Sequence, residues 1–368
     1  MSVTGLSVLQ GLEWADPSPT GYIDSNIANS GPPPDRRAPP EGVSNNMSLR
    51  SALAVLTGPL VQSLDRPSRH RRALLGAGVL VATLLGTAPA CGQKTQEGQA
   101  PSIPGATTHV YKTLGNVKLK LYVYQPRRQN RSERRPAAVF FFGGGWNGGS
   151  PRQFQEHASY LASRGMVGIV ADYRVKSRQA TTPFDCVEDG KSAIRWLRAN
   201  ADRLAIDPRR LAAGGGSAGG HVAAATATVP GLDAKSDNLK INCRPNALLL
   251  FNPVYDNGPG GYGHSRVKDR FREISPLHNI GKGMPPAIVF LGTRDKLVPV
   301  KTAHAFRKMM QQVGSRSELF LYENQPHGFF NRRQSPKHFL ATVTEMDRFL
   351  ASLGYIQGPP TIQLDKNK

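Results

Sequence analysis

The sequence predicts an α/β protein, with a mostly parallel central sheet, helices on both faces and an antiparallel hairpin at the N-terminal side. Three observations carry this. Short, unbroken apolar runs alternate with helical stretches through residues 136–353, the pattern of strands covered on both faces. Residues 108–125 instead alternate apolar and polar side chains around Gly115-Asn116, as two half-buried strands joined by a tight turn do. Lastly, Leu211-Ala-Ala-Gly-Gly-Gly-Ser217-Ala-Gly-Gly-His221 runs from an apolar stretch into an alanine-rich one. A strand entering a helix through a turn without bulk around its serine has that composition.

The elements come in order along the chain. After the hairpin, 136–142 is a fully apolar strand that ends in Gly143-Gly-Gly-Trp-Asn-Gly-Gly149. A helix is expected over 153–163 and a strand over 166–172. Residues 186–201 repeat apolar side chains at helical spacing through Val187, Ala193, Ile194 and Leu197. The serine turn is next, with a strand over 210–214 before it and a helix from His221 after it. Strands at 246–251, 286–291 and 318–322 then alternate with helices near 300–313 and 336–353. No internal repeat appears. The folded body is expected to span 105–356, with 357–368 a flexible tail.

The first hundred residues read differently. Residues 1–72 hold a proline-rich polar stretch, Gly31-Pro-Pro-Pro-Asp-Arg-Arg-Ala-Pro-Pro-Glu-Gly42, which cannot bury enough surface to order itself. Within 73–104, after the basic Arg66-Pro-Ser-Arg-His-Arg-Arg72, comes a run of fourteen apolar residues, Ala73 to Gly86, and then Ala88-Pro89-Ala90. Basic region, apolar run and small-x-small site are the three parts of a secretory signal, and the run is short for a membrane helix. Export to a periplasmic or extracellular location is therefore expected. The signal starts some way into the chain, so either translation begins later, for example at Met47, or the leader is long. Cys91 directly after Ala90 leaves a lipid anchor open, although Ala88 replaces the usual leucine.

Charge and cysteines bound the partners. Of 47 Lys+Arg, 39 lie after residue 100, against 19 of 26 Asp+Glu, so nearly all of the +21 belongs to the body. The basic residues are scattered and no nucleic-acid motif accompanies them. Such a surface suits a basic exported protein, or one drawn to anionic polysaccharide. Cys186 and Cys243 are the two cysteines of the body. In an oxidising compartment they invite a disulfide worth about 4 kcal/mol on the chain-entropy model, with two separate thiols the even alternative. No zinc-like Cys/His spacing exists, and no cofactor is expected.

Chemistry in open sheets gathers beyond the carboxyl ends of strands. Behind the apolar runs stand, in turn, Gly143-Gly144-Gly145-Trp146, Gly215-x-Ser217-x-Gly219, Asp295 and His327. A serine hydroxyl is a poor nucleophile until an imidazole takes its proton, the role expected of His327. The imidazole needs one tautomer and stabilisation of its cation, the role expected of Asp295. Backbone N–H groups of Gly144, Gly145 and Ala218 would hold the oxyanion, one such donor being worth about 3–4 kcal/mol in the transition state. Alone, Asp295 reads as a helix cap and His327 as a loop residue. Their joint order behind Ser217 makes coincidence a poor account. His221 comes after the turn but points along its helix and reads as structural.

These residues, with Asp172-Tyr-Arg174, Asp189, Ala193, Trp196, Asp207-Pro208, Asp295-Lys-Leu-Val-Pro299 and His327-Gly-Phe, resemble the esterase/lipase branch of the α/β-hydrolase superfamily over about 105–354. That branch includes hormone-sensitive-lipase-like carboxylesterases, feruloyl esterases and carbohydrate acetyl esterases. The resemblance implies an α/β-hydrolase fold, a Ser217-Asp295-His327 triad and a covalent acyl-enzyme. Many relatives carry histidine before the three glycines; here it is Phe142, so the loop must be held otherwise. Trp146, Asn252 and Tyr255 are expected to contact substrate, Trp146 with core packing as an equal alternative. Residues 252–257, with 258–282, are expected to form a short lid over an open site, favouring small-molecule or oligosaccharide esters. A peptidase of the same superfamily usually adds a large second domain. A non-catalytic relative usually loses a member of the triad, and none is lost here.

Overall fold

The computed structural model describes residues 102–127 and 133–363. The expected extension 1–72, nearly all of the signal-like segment 73–104 and Cys91 lie outside the described residues. In order come β1 (Thr107–Leu114), β2 (Val117–Tyr124), β3 (Arg135–Phe141), α1 (Gln155–Ser163) and β4 (Val167–Ala171). Next are α2 (Lys176–Gln179), α3 (Pro183–Ala199), α4 (Ala201–Leu204), β5 (Ile206–Gly216), α5 (Ala218–Thr228) and β6 (Ala247–Phe251). The remainder is α6 (His264–Val267), β7 (Ala287–Gly292), α7 (Val300–Gln312), β8 (Ser317–Tyr322) and α8 (Pro336–Ser352).

The eight strands form one sheet in the order β1-β2-β4-β3-β5-β6-β7-β8. β1–β2 and β2–β4 are antiparallel and the remaining pairs parallel. This is the α/β-hydrolase arrangement that the sequence predicts. Alternate residues of each central strand feed two cores. Val139 and Phe141 of β3 face one core with Ile194 and Leu197 of α3, Val222 of α5 and Phe306 of α7. Ala138 and Phe140 face the other with Leu161 of α1 and Val343, Met346 and Leu350 of α8. An apolar run without polar alternation is what two-sided burial requires.

Several boundaries differ from expectation for local reasons. α3 begins at Pro183, ahead of the apolar repeat, because the Asp185 carboxylate accepts from the Thr182 backbone N–H (2.8 Å) and hydroxyl (2.6 Å), a cap that precedes the buried face. β5 is longer than 210–214, starting at Ile206 where it pairs with Arg135. The body also reaches past its expected limits at both ends. Ile103 is buried in the α1/α8 core. Residues 357–363, expected as part of a flexible tail, are tied down: Arg164 donates to the carbonyls of Gln357 (3.0 Å) and Gly358 (2.9 Å), and Thr361 N–H to the Tyr160 hydroxyl (3.2 Å). Arg164 is itself fixed by Asp347, a fully buried carboxylate 2.7 Å away.

Candidate active site

The parallel strands bring five loops to one edge of the sheet: Gly143–Gly149 after β3, Ser217 after β5, Asn252 after β6, Asp295 after β7 and His327 after β8. Ser217 sits at φ 53°, ψ −120°, a strained conformation that lifts its half-exposed side chain off the strand end. Bulk is excluded around it. A Cβ on Gly219 would come within 2.1 Å of the Phe141 carbonyl, and one on Gly215 within 2.5 Å of the same oxygen. α5 starts at Ala218, directly after the serine.

The backbone fixes the direction of each expected oxyanion donor. A trans peptide sets its N–H opposite its C=O. The Ser217 carbonyl accepts from His221 N (3.0 Å) and Val254 N (3.2 Å), so Ala218 N–H points out of the N-terminus of α5, where the helix dipole favours negative charge. The Gly144 carbonyl accepts from Asn147 N (3.0 Å) and Gly148 N (3.2 Å), turning Gly145 N–H out of that turn. The Gly143 oxygen lies against Gly149, which turns Gly144 N–H away from Gly149.

The loop is held without a histidine. The Phe142 ring stacks on Tyr173 at 4.2 Å, and the Tyr173 hydroxyl donates to the Phe142 carbonyl at 2.6 Å. Gly143 N–H donates to Gln153 Oε1 (2.6 Å), while Lys176 N and Ser177 N donate to the carbonyls of Trp146 and Asn147. The Arg266 guanidinium, lying over the Trp146 and Tyr262 rings, donates to the Gly145 carbonyl. Through Arg266, the α6 part of the expected lid 252–282 packs beside the glycine loop.

His327 Nδ1 lies 2.7 Å from Asp295 Oδ2. The other carboxylate oxygen accepts from Leu297 N (2.8 Å) and Val298 N (2.9 Å). Asp295 therefore does both things the sequence left open, capping a turn with one oxygen and orienting an imidazole with the other. Its side chain is fully buried, whereas that of His327 is 21% exposed. The Ser217 hydroxyl makes no hydrogen bond among the described residues. His327 Nε2 instead faces Asn252 Nδ2 at 3.4 Å.

A chain of amides links the two halves of the site. From Gly143 N–H it passes to Gln153 Oε1, and from Gln153 Nε2 to Asn331 Oδ1 (3.0 Å). Asn331 Nδ2 donates to the Gly328 carbonyl (2.7 Å), and Gly328 N–H donates to Asn252 Oδ1 (2.9 Å). Nothing in the sequence points to Gln153, Asn331 or Arg266, since no spacing or pattern marks them.

The expected substrate contacts are corrected. Trp146 is buried, edge-on to His221 at 5.0 Å and tilted against Tyr262 at 5.6 Å, so it serves the core. Tyr255 is fully buried and stacked on Phe306 at 4.5 Å. Asn252 is also fully buried, with its side-chain amide spent on His327 and Gly328. The expected disulfide is absent, and both thiols are free. Cys186, buried on α3, points at the carbonyls of Arg174 (3.2 Å) and Thr182 (3.3 Å), whereas Cys243 faces the Thr226 carbonyl. Burial, reinforced by the carboxylates of Asp189 and Asp185, pushes the Cys186 thiol up, away from thiolate chemistry. His221 is structural as expected: its Nε2 contacts the Ile274 carbonyl (3.0 Å), and burial lowers its pKa to about 4. Among the described residues no group of three or more His, Cys, Asp or Glu is placed to hold a metal ion, and no helix is long and apolar enough to cross a membrane.

Comparison with known proteins bears on this geometry. The BD-FAE family model matches residues 121–248, and the dienelactone hydrolase family model matches residues 262–355. Esterase LipC of Mycobacterium tuberculosis is 30% identical over 234 residues, covering 55% of this chain and 55% of that protein. The acetylxylan esterase of Xylanibacter ruminicola is 27% identical over 202 residues, covering 50% of this chain and 39% of that one. The chain thus spans about half the length of the curated relatives it matches. Among solved structures, Thermogutta terrifontis esterase 2 phosphorylated by paraoxon is 44% identical, with a TM-score of 0.67 over 70% of this chain and 98% of that one. The same esterase with propionate bound is 43% identical, with the same TM-score and coverage.

Proposed function

The chain belongs to the serine esterases of the α/β-hydrolase superfamily, and on that premise we propose that it hydrolyses short-chain carboxylic esters through an acyl-enzyme on Ser217. The reading rests on one observation above the others, the 2.7 Å hydrogen bond between Asp295 and His327 at the same sheet edge as a serine with positive φ. In the first step the Ser217 oxygen adds to the ester carbonyl carbon while His327 Nε2 takes its proton. Asp295 stabilises the resulting imidazolium. The N–H groups of Gly144, Gly145 and Ala218 receive the charge that develops on the carbonyl oxygen. Collapse breaks the bond to the alcohol oxygen, which leaves with the proton from His327. Water then adds to the acyl-serine with His327 as base, and the carboxylic acid departs.

The acyl group is proposed to be short because the solved relative has been seen with propionate and with butyrate bound. For the alcohol we propose an acylated sugar of a polysaccharide. The acetylxylan esterase relative and the BD-FAE match support this, as does the excess of cations in the body. Export, inferred from the segment before Cys91, would bring the enzyme to such a substrate. The test is hydrolysis of 4-nitrophenyl acetate, butyrate and decanoate beside acetylated and feruloylated oligosaccharides. The short esters are expected to turn over. Ser217→Ala should lower the rate by about 10⁴-fold or more and abolish labelling by a fluorophosphonate. Equal labelling of the two forms would refute the assignment.

A further inference from the structure

We propose that the cavity between the loop after β6 and the Asp295 loop takes the acyl chain of the ester, and that Leu297 sets the length of chain accepted. The inference rests on the esterase reading and adds to it the residues that choose the substrate. The cavity holds about 120 Å³, and several of its walls are the direct neighbours of groups already placed in the site. Val254 N–H donates to the Ser217 carbonyl at 3.2 Å. Leu297 N–H and Val298 N–H donate to Asp295 Oδ1 at 2.8 and 2.9 Å. The Tyr262 hydroxyl stands over the glycine loop, 2.8 Å from where a Cβ on Gly145 would be. The cavity therefore lies against the nucleophile, the triad carboxylate and the oxyanion loop at once.

Which half of the ester belongs there follows from the proton. His327 must deliver it to the alcohol oxygen, so the alcohol lies on the imidazole side. The imidazole and Leu297 take opposite oxygens of the Asp295 carboxylate, which sets the cavity across that carboxylate from His327. The acyl chain is the half left to fill it. Size and polarity then limit that chain. A water takes up about 30 Å³ in the liquid, so the cavity has room for about four groups of that size. That suits a propyl chain beyond the carbonyl and excludes a nonyl one. Val254 and Val298 are buried, while Leu297 at the rim is 42% exposed. Asp256 and Lys301 line part of the remainder, and an alkyl chain that reached them would strip charged groups of water. A single exposed leucine is ordinary on a protein surface. This one is tied at its own N–H to the triad carboxylate, so its position is fixed by the site.

Two opposite changes in the full chain test this, Leu297→Ala and Leu297→Trp. Both keep the backbone N–H that Asp295 accepts. A change that merely loosened Asp295 would slow every ester alike, so the readout is the ratio of kcat/KM values between esters. Along 4-nitrophenyl acetate, butyrate, hexanoate and octanoate, Leu297→Ala should raise octanoate over butyrate about tenfold. Leu297→Trp should lower butyrate against acetate by about tenfold. The acetates of 4-nitrophenol, ethanol and butanol should keep their relative rates within about twofold in both variants. Acyl ratios that stay put in both variants, or alcohol ratios that move in their place, would overturn this proposal alone. No turnover of any ester by the unmodified chain would remove the esterase reading and this proposal with it.

Discussion

Two imidazoles at the same end of the sheet live in opposite surroundings. His327 stands among a carboxylate and an amide. His157, on α1, is ringed by Phe154 (4.8 Å), Phe339 (5.0 Å), Phe251 (5.1 Å), Phe140 (5.9 Å) and Phe330 (6.2 Å). Neither of its ring nitrogens has a partner among the described residues, and burial lowers its pKa to about 3. Phe251 and Phe330 are near neighbours in sequence of Asn252 and His327, so the two settings share a wall. Side-chain identity is the same in both. Polar partners alone separate a candidate base from a neutral packing element.

Breaking the polar side of the comparison should have the largest effect. Asp295→Asn keeps the shape but offers a donor where the His327 Nδ1 proton needs an acceptor, and kcat is expected to fall by about 10³–10⁴, measured on 4-nitrophenyl butyrate. Gln153→Ala cuts the amide chain and frees Gly143 N–H. A displaced glycine loop should lower kcat by about ten- to a hundredfold with the far-UV spectrum unchanged.

The apolar side should respond in stability and not in rate. His157 has a folded pKa of about 3 against an ordinary 6.5, so the unfolded chain takes up a proton first as pH falls. Its contribution to stability is complete above pH 6.5 and is lost progressively toward about 3, at no more than about 1.4 kcal/mol per pH unit. His157→Phe removes that loss together with two unsatisfied nitrogens. Thermal melts at pH 7 and pH 5 should therefore show a higher Tm, a smaller acid penalty and unchanged kcat. A variant equally acid-sensitive would mean that His157 is not the group responsible.

How much of this was legible in the sequence depended on the kind of signal. The strands could be read because two-sided burial forces unbroken apolar runs such as 136–142 and 246–251. Ser217, Asp295 and His327 stood out because each comes within a few residues of the end of such a run. So does Asn252, but an asparagine there has no distinguishing neighbours, and its buried role appears only once Gly328 is folded back onto it. Trp146 and Tyr255 were misplaced because an aromatic side chain near a motif carries no sign of which way it points. The cysteine pair failed for a related reason. Two thiols in a chain count as a possible bond, while the direction of each is set by the carbonyls around it.

The anchoring of residues 102–104 and 357–363 bears on where the chain can be cut. Arg152 reaches the Ser102 carbonyl at 2.9 Å and Ile103 is buried in the core beneath α1 and α8, while Arg164 grips the stretch after α8. Trimming to the end of α8 would strip the Arg164 side chain, only 9% exposed, of two acceptors, and trimming to the start of β1 would take Ile103 out of its core. A shortened recombinant version that keeps both anchors is the one expected to match its parent in solubility.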